Sequence, residues 1–446
     1  MKHFEIYSID LHNSTTIFKL TNNSLFETQL TLSKDGKHII FRQYSHGDNQ
    51  KDFVDLQGRL NSLDLITGHI ERLAKDFSGN VFGYTYNSDG SVYILGQLRT
   101  EVHIYTQQSS MDSTIHCHGW NGTYHLISSS PFGRTRAVAF VYSSLEKPKE
   151  VYIADDIYQL QSANAITNEN NLFTQRDLPK TKVYTWKNDQ DNQAIEGILH
   201  YPPGKFELKK LPLFILIHGG PHSASLNAFE ANWYNWASIA AVEGWLVLEP
   251  NYSGSTGYGD QFVNEIRFHT LSRRTRDIMS AVDNLIKDGI VDPNKLNVGG
   301  YSYGGTLTNW LITQTTRFNA ALSGSSAIER VLSCGTIDLP VLINYLMGGF
   351  PWEVPKSYQN QSAIYSLDRI RTPTHIVTAE GDVRVDAQQS YILERGLRSL
   401  GVPVQLLVFP KEGHDLENDP WHGKIKVREE LKWLAKYGHG LKQNIS

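Results

Sequence analysis

Cysteine is nearly missing from this 446-residue chain: Cys117 and Cys334 are its only two. Thiols so few and so far apart exclude a disulfide-stapled scaffold and fit reduced cysteines in a cytoplasmic chain. No segment approaches about eighteen consecutive apolar residues, so no membrane-crossing helix is expected. Met1-Lys2-His3-Phe4-Glu5 leads into no apolar signal core, which again points to the cytoplasm. An excess of either charge is also lacking. Lys and Arg total 42 against 46 Asp and Glu, a formal net charge of −4, so no basic field for nucleic acid exists. Arg273, Arg274 and Arg276 cluster at the start of a helical pattern and read as a solvated face. His116-Cys117-His118 with His125 resembles a ligand cluster, but no second ligand pair has suitable spacing. Neither a metal nor another cofactor is expected.

What is present falls into two textures that meet near residue 180. The first is strand-rich, with turns at blade-like spacing. Ser33-Lys34-Asp35-Gly36 precedes the alternating Lys37-His38-Ile39-Ile40-Phe41, and Asp89-Gly90 precedes Ser91-Val92-Tyr93-Ile94-Leu95 in the same way. Asp35 to Asp89 and Asp10 to Asp64 are both 54 residues apart, and a third unit runs from Tyr124 to about Ile166. We read residues 1–178 as a partial β-propeller of roughly three and a half blades, short of the four to eight of a closed one. An irregular β-sandwich is the alternative.

After Asn171, strands alternate with helices. Val183–Trp186 and Ile195–Leu199 form a hairpin, and Leu213–Ile217 and Trp245–Leu248 are buried strands. Asp277 to Lys287 reads as an amphipathic helix, and Arg428 to Lys436 as a closing one. His375–Thr378 and Val404–Val408 are further strands. This alternation predicts an α/β domain over 179–446, with a mostly parallel sheet covered on both faces.

Gly300-Tyr301-Ser302-Tyr303-Gly304 sits between a buried run and a helical pattern, the context of a nucleophile elbow. A serine hydroxyl needs a base for its proton, and the base needs an acid to hold its tautomer. The order Ser, then Asp or Glu, then His, each after a strand, selects Ser302, Asp382 and His414. Glu380 and Asp386 are the alternative acids; only Asp382 occupies the loop apex. His422 and His439 follow no core strand. His218-Gly219-Gly220-Pro221 follows Ile217, where glycines expose backbone N–H groups. We assign the oxyanion hole to the N–H groups of Gly220 and Tyr303. Tyr252, in the loop Asn251 to Gly259, and Phe350 and Trp352 are expected at the pocket.

Together these residues resemble the prolyl oligopeptidase family of serine peptidases, in particular its acylaminoacyl-peptidase branch. The motifs that carry the likeness are His218 to Pro221, Asn251 to Gly259, Gly300 to Gly305, Asp382 to Val385 and Gly413-His414. The resemblance covers about the last 260 residues well and the remainder only in texture. It implies an α/β-hydrolase domain capped by a β-propeller that limits access to short peptides. It also implies release of N-acylated amino acids or dipeptides from the N-terminus, with Arg384 binding a substrate carbonyl or carboxylate. Two positions depart: Asp386 stands where the family usually has proline, and Ser253 where arginine is common. Short peptides are the expected partners, without nucleic acid or membrane, and exposed blade edges leave homo-oligomers open. A carboxylesterase with the same triad and a non-catalytic propeller scaffold are the competing functions.

Overall fold

Runs of aliphatic and β-branched residues buried on both faces build the larger sheet. The computed structural model describes residues 5–12, 16–22, 26–44, 57–87, 89–129, 136–230 and 232–439. Residues 1–4, part of the stretch read above as lacking a signal core, lie outside the described residues. The chain divides into two compact units. One takes the described residues up to Gln175 with Leu226–Phe229 and Thr256–Asn264; the other takes Arg176–Ser225, Glu230–Ser255 and those from Glu265 onward.

In the second unit we number the strands β1 (Lys180–Lys187), β2 (Ala194–Tyr201), β3 (Leu211–Ile217), β4 (Leu246–Asn251), β5 (Val291–Tyr301), β6 (Ala320–Gly324), β7 (Thr374–Ala379) and β8 (Val404–Phe409). Their order is β1-β2-β4-β3-β5-β6-β7-β8. The first two pairings are antiparallel and all the rest parallel. Five of the unit's helices are labelled α1 (Ala237–Val242), α2 (Ser272–Lys287), α3 (Tyr303–Gln314), α4 (Ala387–Ser399) and α5 (Pro420–Tyr437). Phe214, Leu216, Val247, Ala320 and Leu322 turn one face of the sheet toward α1 and α5, where Trp236, Ala240 and Leu434 meet them. Leu213, Ile215 and Ile217 point the other way and are equally buried. This is the α/β-hydrolase architecture. Two helices begin earlier than periodicity indicates: α2 at Ser272 and α5 at Pro420, where Asp419 accepts from Trp421 N–H and proline takes the first turn.

Register sets the geometry of the sheet's C-terminal edge. Ile217 pairs with Gly300, and Tyr301 with Gly324, so β3, β5 and β6 end side by side. Ala379 pairs with Phe409, which aligns the ends of β7 and β8.

The first unit is propeller-like. A four-stranded antiparallel sheet runs from Phe26–Leu32 to Ile70–Leu73, and an eight-stranded sheet follows, in which two antiparallel sets, Asn80–Tyr86 to Ile115–Cys117 and Thr123–Ser129 to Asn164–Ala165, meet through one parallel pairing of Thr123 with Val102. The hairpin of Tyr7–Ile9 with Ile17–Lys19 precedes them. The repeated turns share one device. Asp35 accepts from Ser33 and the Lys37 N–H, and Asp89 accepts from the hydroxyl and N–H of Ser91. Within this unit Asn227 bonds Thr100, Glu101, Thr123 and Leu145, while Arg59 grips Asp260 through both carboxylate oxygens. Those contacts explain why two short segments of the later sequence belong here.

Among the described residues, no helix is long and apolar enough to cross a membrane. His375, on β7, is fully buried and neither ring nitrogen has a partner. Burial pushes its pKa down to about 4, and burial does the same at His125 in the first unit. The unfolded chain therefore takes up these protons first as pH drops below about 6.5, while the fold resists until about 4. Stability from each is complete above pH 6.5 and is lost across that window, by about 3 kcal/mol per histidine at most. Unfolding in urea at pH 7 and pH 5 should show a lower midpoint at pH 5. His375→Leu should weaken that dependence; an unchanged slope counts against the assignment.

Candidate active site

Ser302 occupies the sharp turn from β5 into α3, with φ 58° and ψ −123°, a conformation side chains rarely adopt. Glycines make the turn feasible. A Cβ on Gly304 would lie 2.1 Å from the Ile217 carbonyl oxygen, and one on Gly300 would lie 2.5 Å from it. The Ser302 N–H donates to Gly324 O at 2.9 Å, fixing the turn to β6.

The register brings two loops to this serine. His414 Nε2 is 2.9 Å from Ser302 Oγ, and His414 Nδ1 is 2.7 Å from Asp382 Oδ2. The carboxylate of Asp382 is fully shielded, and its other oxygen accepts the N–H groups of Arg384 and Val385. Acidic and histidine loops are tied through their backbones: Glu380 N–H donates to Phe409 O and Gly381 N–H to Glu412 O, both at 2.9 Å. Buried Glu412 organises the histidine loop by accepting the N–H groups of Asn418 and Asp419 and bonding His422. The alternative acids are engaged elsewhere. Glu380 accepts from the Lys411 N–H, and Asp386 caps α4 through the Gln388 N–H.

Tyr301 is a residue that sequence reasoning passed over. Its hydroxyl donates to the His414 carbonyl at 2.9 Å and accepts from Ser325 Oγ at 2.8 Å. Its ring lies 5.4 Å from the imidazole. Being the variable residue before the serine, it carried no signal except its size.

The loop after β3 abuts the elbow: a Cβ on Gly219 would fall 3.3 Å from Ser302 Cβ. Gly220 is exposed with φ 118°. Among the described residues, neither its N–H nor that of Tyr303, at the first turn of α3, meets an acceptor. His218 is buried beneath, stacked on Tyr252 at 4.3 Å and bonded to Ser255 Oγ at 2.9 Å. Burial lowers its pKa to about 4, so it stands neutral. Tyr234 accepts the Gly219 N–H, while burial pushes its own phenol up to about 12.

The expected substrate residues fare differently. Tyr252 corrects our reading: it is fully buried, and its hydroxyl donates to the His218 carbonyl, so it supports the loop instead of facing substrate. The Arg384 guanidinium forms a two-pronged bond with Asp338, at 2.5 and 3.0 Å. Phe350 and Trp352 stack on each other at 4.7 Å, with Trp352 75% exposed. In the first unit, His116 bonds His103 at 2.8 Å and meets His118 edge-on, while His125 bonds Ser143. Among the described residues no group of three or more His, Cys, Asp or Glu is arranged to hold a metal.

Residues 232–440 match the prolyl oligopeptidase family. Dipeptidyl-peptidase 5 of Porphyromonas endodontalis is 27% identical over 443 residues, 97% of this chain and 62% of that protein. The acylamino-acid-releasing enzyme of Arabidopsis thaliana is 32% identical over 215 residues, 46% of this chain and 28% of its own length. The solved acylaminoacyl peptidase of Pyrococcus horikoshii shares the fold, with a TM-score of 0.81 at 18% identity over 97% of this chain and 66% of that one. The chain spans less than two thirds of the length of these curated relatives.

A cation is buried beside the loop Asn251 to Gly259. Where the family commonly has arginine, Ser253 here bonds Asp277 through its N–H and hydroxyl, at 2.9 and 2.6 Å. Arg274 donates to the Ser253 carbonyl at 2.7 Å and is completely buried. The basic cluster is thus not a uniform solvated face: Arg273 pairs with Asp191 and Glu265, and Arg274 turns inward.

Gly304→Ala should destabilise the protein by about 2–3 kcal/mol, because the strand carbonyl has no room to retreat. Thermal unfolding reads this directly, and a wild-type melting temperature would contradict the close approach.

Proposed function

We propose that the chain is a serine peptidase that cleaves short peptides, with residues 179–446 as the peptidase domain. The observation that carries the reading is the unbroken relay from Asp382 Oδ2 through the His414 ring to Ser302 Oγ, at 2.7 and 2.9 Å. In this reading Ser302 Oγ attacks the acyl carbonyl while His414 Nε2 accepts the hydroxyl proton. Asp382 holds Nδ1–H, fixing the tautomer and stabilising the imidazolium. The N–H groups of Gly220 and Tyr303 receive the oxyanion. Collapse breaks the peptide bond, Nε2–H protonates the leaving amine, and the acyl-enzyme remains. Water then attacks with the same proton path, releasing the carboxylic acid and restoring Ser302.

The similarity to acylamino-acid-releasing enzymes and dipeptidyl-peptidases favours substrates cut near the N-terminus, N-acylated residues or dipeptides being released. A reducing, cytoplasmic setting suits both cysteines: burial pushes the Cys117 thiol up to about 12, and Cys334 donates to Asn344.

A fluorophosphonate should label the wild-type chain at Ser302, and Ser302→Ala should abolish labelling; labelling that survives the substitution refutes the nucleophile. Tyr301→Phe keeps the ring but unties the His414 carbonyl, a loss of about 1 kcal/mol. It should lower kcat roughly fivefold with KM little changed. A rise in KM alone would mean that Tyr301 touches substrate and does not position the base.

A further inference from the structure

Two guanidiniums lie buried beside Tyr303 without a carboxylate bonded to either. Arg330, the first residue of the helix Arg330–Thr336 after β6, is 4% exposed. Its Nε donates to Gln361 O at a long 3.3 Å, and its buried Nη2 has no partner. Arg274, on α2, is 0% exposed; Nε and Nη1 donate to the Ser253 and His269 carbonyls, and its buried Nη2 also has none. The acids nearest in sequence are occupied. Glu329 caps its own helix by accepting the N–H groups of Val331 and Leu332, and Asp277 holds Ser253 and Asn188. Arg274 and Arg330 are the two cations that act on the Tyr303 phenol. That phenol donates to Thr270 O, and Gln361 accepts from the N–H and hydroxyl of Thr270, so all five residues form one buried cluster.

A buried charge with no carboxylate bonded to it is costly, and a free N–H on each makes it more so. An entering anion would satisfy both. Tyr303, whose phenol ends in this cluster, directly follows Ser302. On the reading of Ser302 as nucleophile, the Tyr303 N–H holds the oxyanion of the bound acyl group. The side chain of that acyl residue then lies along Tyr303, toward the guanidiniums.

We propose that Arg330, with Arg274 behind it, is a specificity determinant that selects a carboxylate side chain, Asp or Glu, on the acyl side of the scissile bond. An apolar side chain there leaves both Nη2 groups unsatisfied, and a cationic one is repelled. A carboxylate accepts from them with charge-assisted bonds. Neutral Gln matches Glu in shape and differs in charge, so it isolates the electrostatic part.

The proposal rests on the peptidase reading, and the experiment separates the two. Fluorophosphonate labelling of the wild-type chain reports on Ser302 alone. Hydrolysis of N-acetyl-Glu, N-acetyl-Gln, N-acetyl-Leu and N-acetyl-Lys anilides by the same preparation reports on the subsite. We expect kcat/KM for Glu to exceed Gln and Leu by at least about tenfold, with Lys lowest. Arg330→Gln should collapse the Glu-to-Gln ratio toward one, and Arg330→Lys should keep part of it; thermal unfolding confirms that each variant is folded. A labelled wild-type chain that cleaves Leu as well as Glu overturns the proposal and leaves the nucleophile standing. So does a Glu-to-Gln ratio that Arg330→Gln leaves untouched. The wild-type ratio needs no variant, so a misfolded substitution does not protect the idea.

Discussion

The Ile217 carbonyl oxygen sits where a side chain on either Gly300 or Gly304 would have to go, and the rest of the site depends on that close approach. Parallel pairing of β3 with β5 brings it there: Ile217 stands opposite Gly300, one strand spacing away. Only glycine on both sides of the turn lets α3 start so near the sheet. The turn in turn forces Ser302 to φ 58°, lifting its hydroxyl out of the strand. Strain of this kind is tolerated because neighbouring contacts over-determine it, here the bond from Ser302 N–H to Gly324 O and the covering loop at Gly219.

His414 and Asp382 arrive by a second register, independent of the first. β7 and β8 end together, and the two loops beyond them are laced by backbone bonds before any side chain takes part. Asp382 is then oriented by the Arg384 and Val385 N–H groups, which leave one oxygen free for His414. His414 is held from the opposite side through its own carbonyl by Tyr301. Serine and histidine are thereby coupled twice: by the bond between their side chains, and by Tyr301, covalently attached to one and hydrogen-bonded to the other.

What the sequence disclosed follows from how local each signal is. Ser302, Asp382 and His414 were legible because each stands just after a strand and their chain order is restrictive. Strands β3 to β8 were legible as short apolar runs between turn residues. The starts of α2 and α5 were hidden because the amphipathic pattern weakens there; Asp419-Pro420 was the overlooked cap. Tyr252 misled because an aromatic residue in a glycine-rich loop reads as surface, whereas its hydroxyl had a buried carbonyl to satisfy. Arg274 misled for the opposite reason. Three arginines within four positions look solvated, and only the carbonyl of Ser253, 21 residues away, turns one of them inward.

Ser253 stands where the family the chain resembles commonly has arginine, and the Arg274 side chain reaches the Ser253 carbonyl from α2. Asp277 accepts from Ser253 by N–H and hydroxyl, so its carboxylate is held by hydrogen bonds and not by a direct bond to the guanidinium. Arg274 is hydrogen-bonded to backbone carbonyls, while the carboxylates of Asp277 and Glu265 act on it through space. Its remaining donor lies near Tyr303, where Arg330 presents another. An arginine bonded only to backbone carbonyls keeps a donor for an incoming anion, which one locked to a carboxylate on both prongs would not.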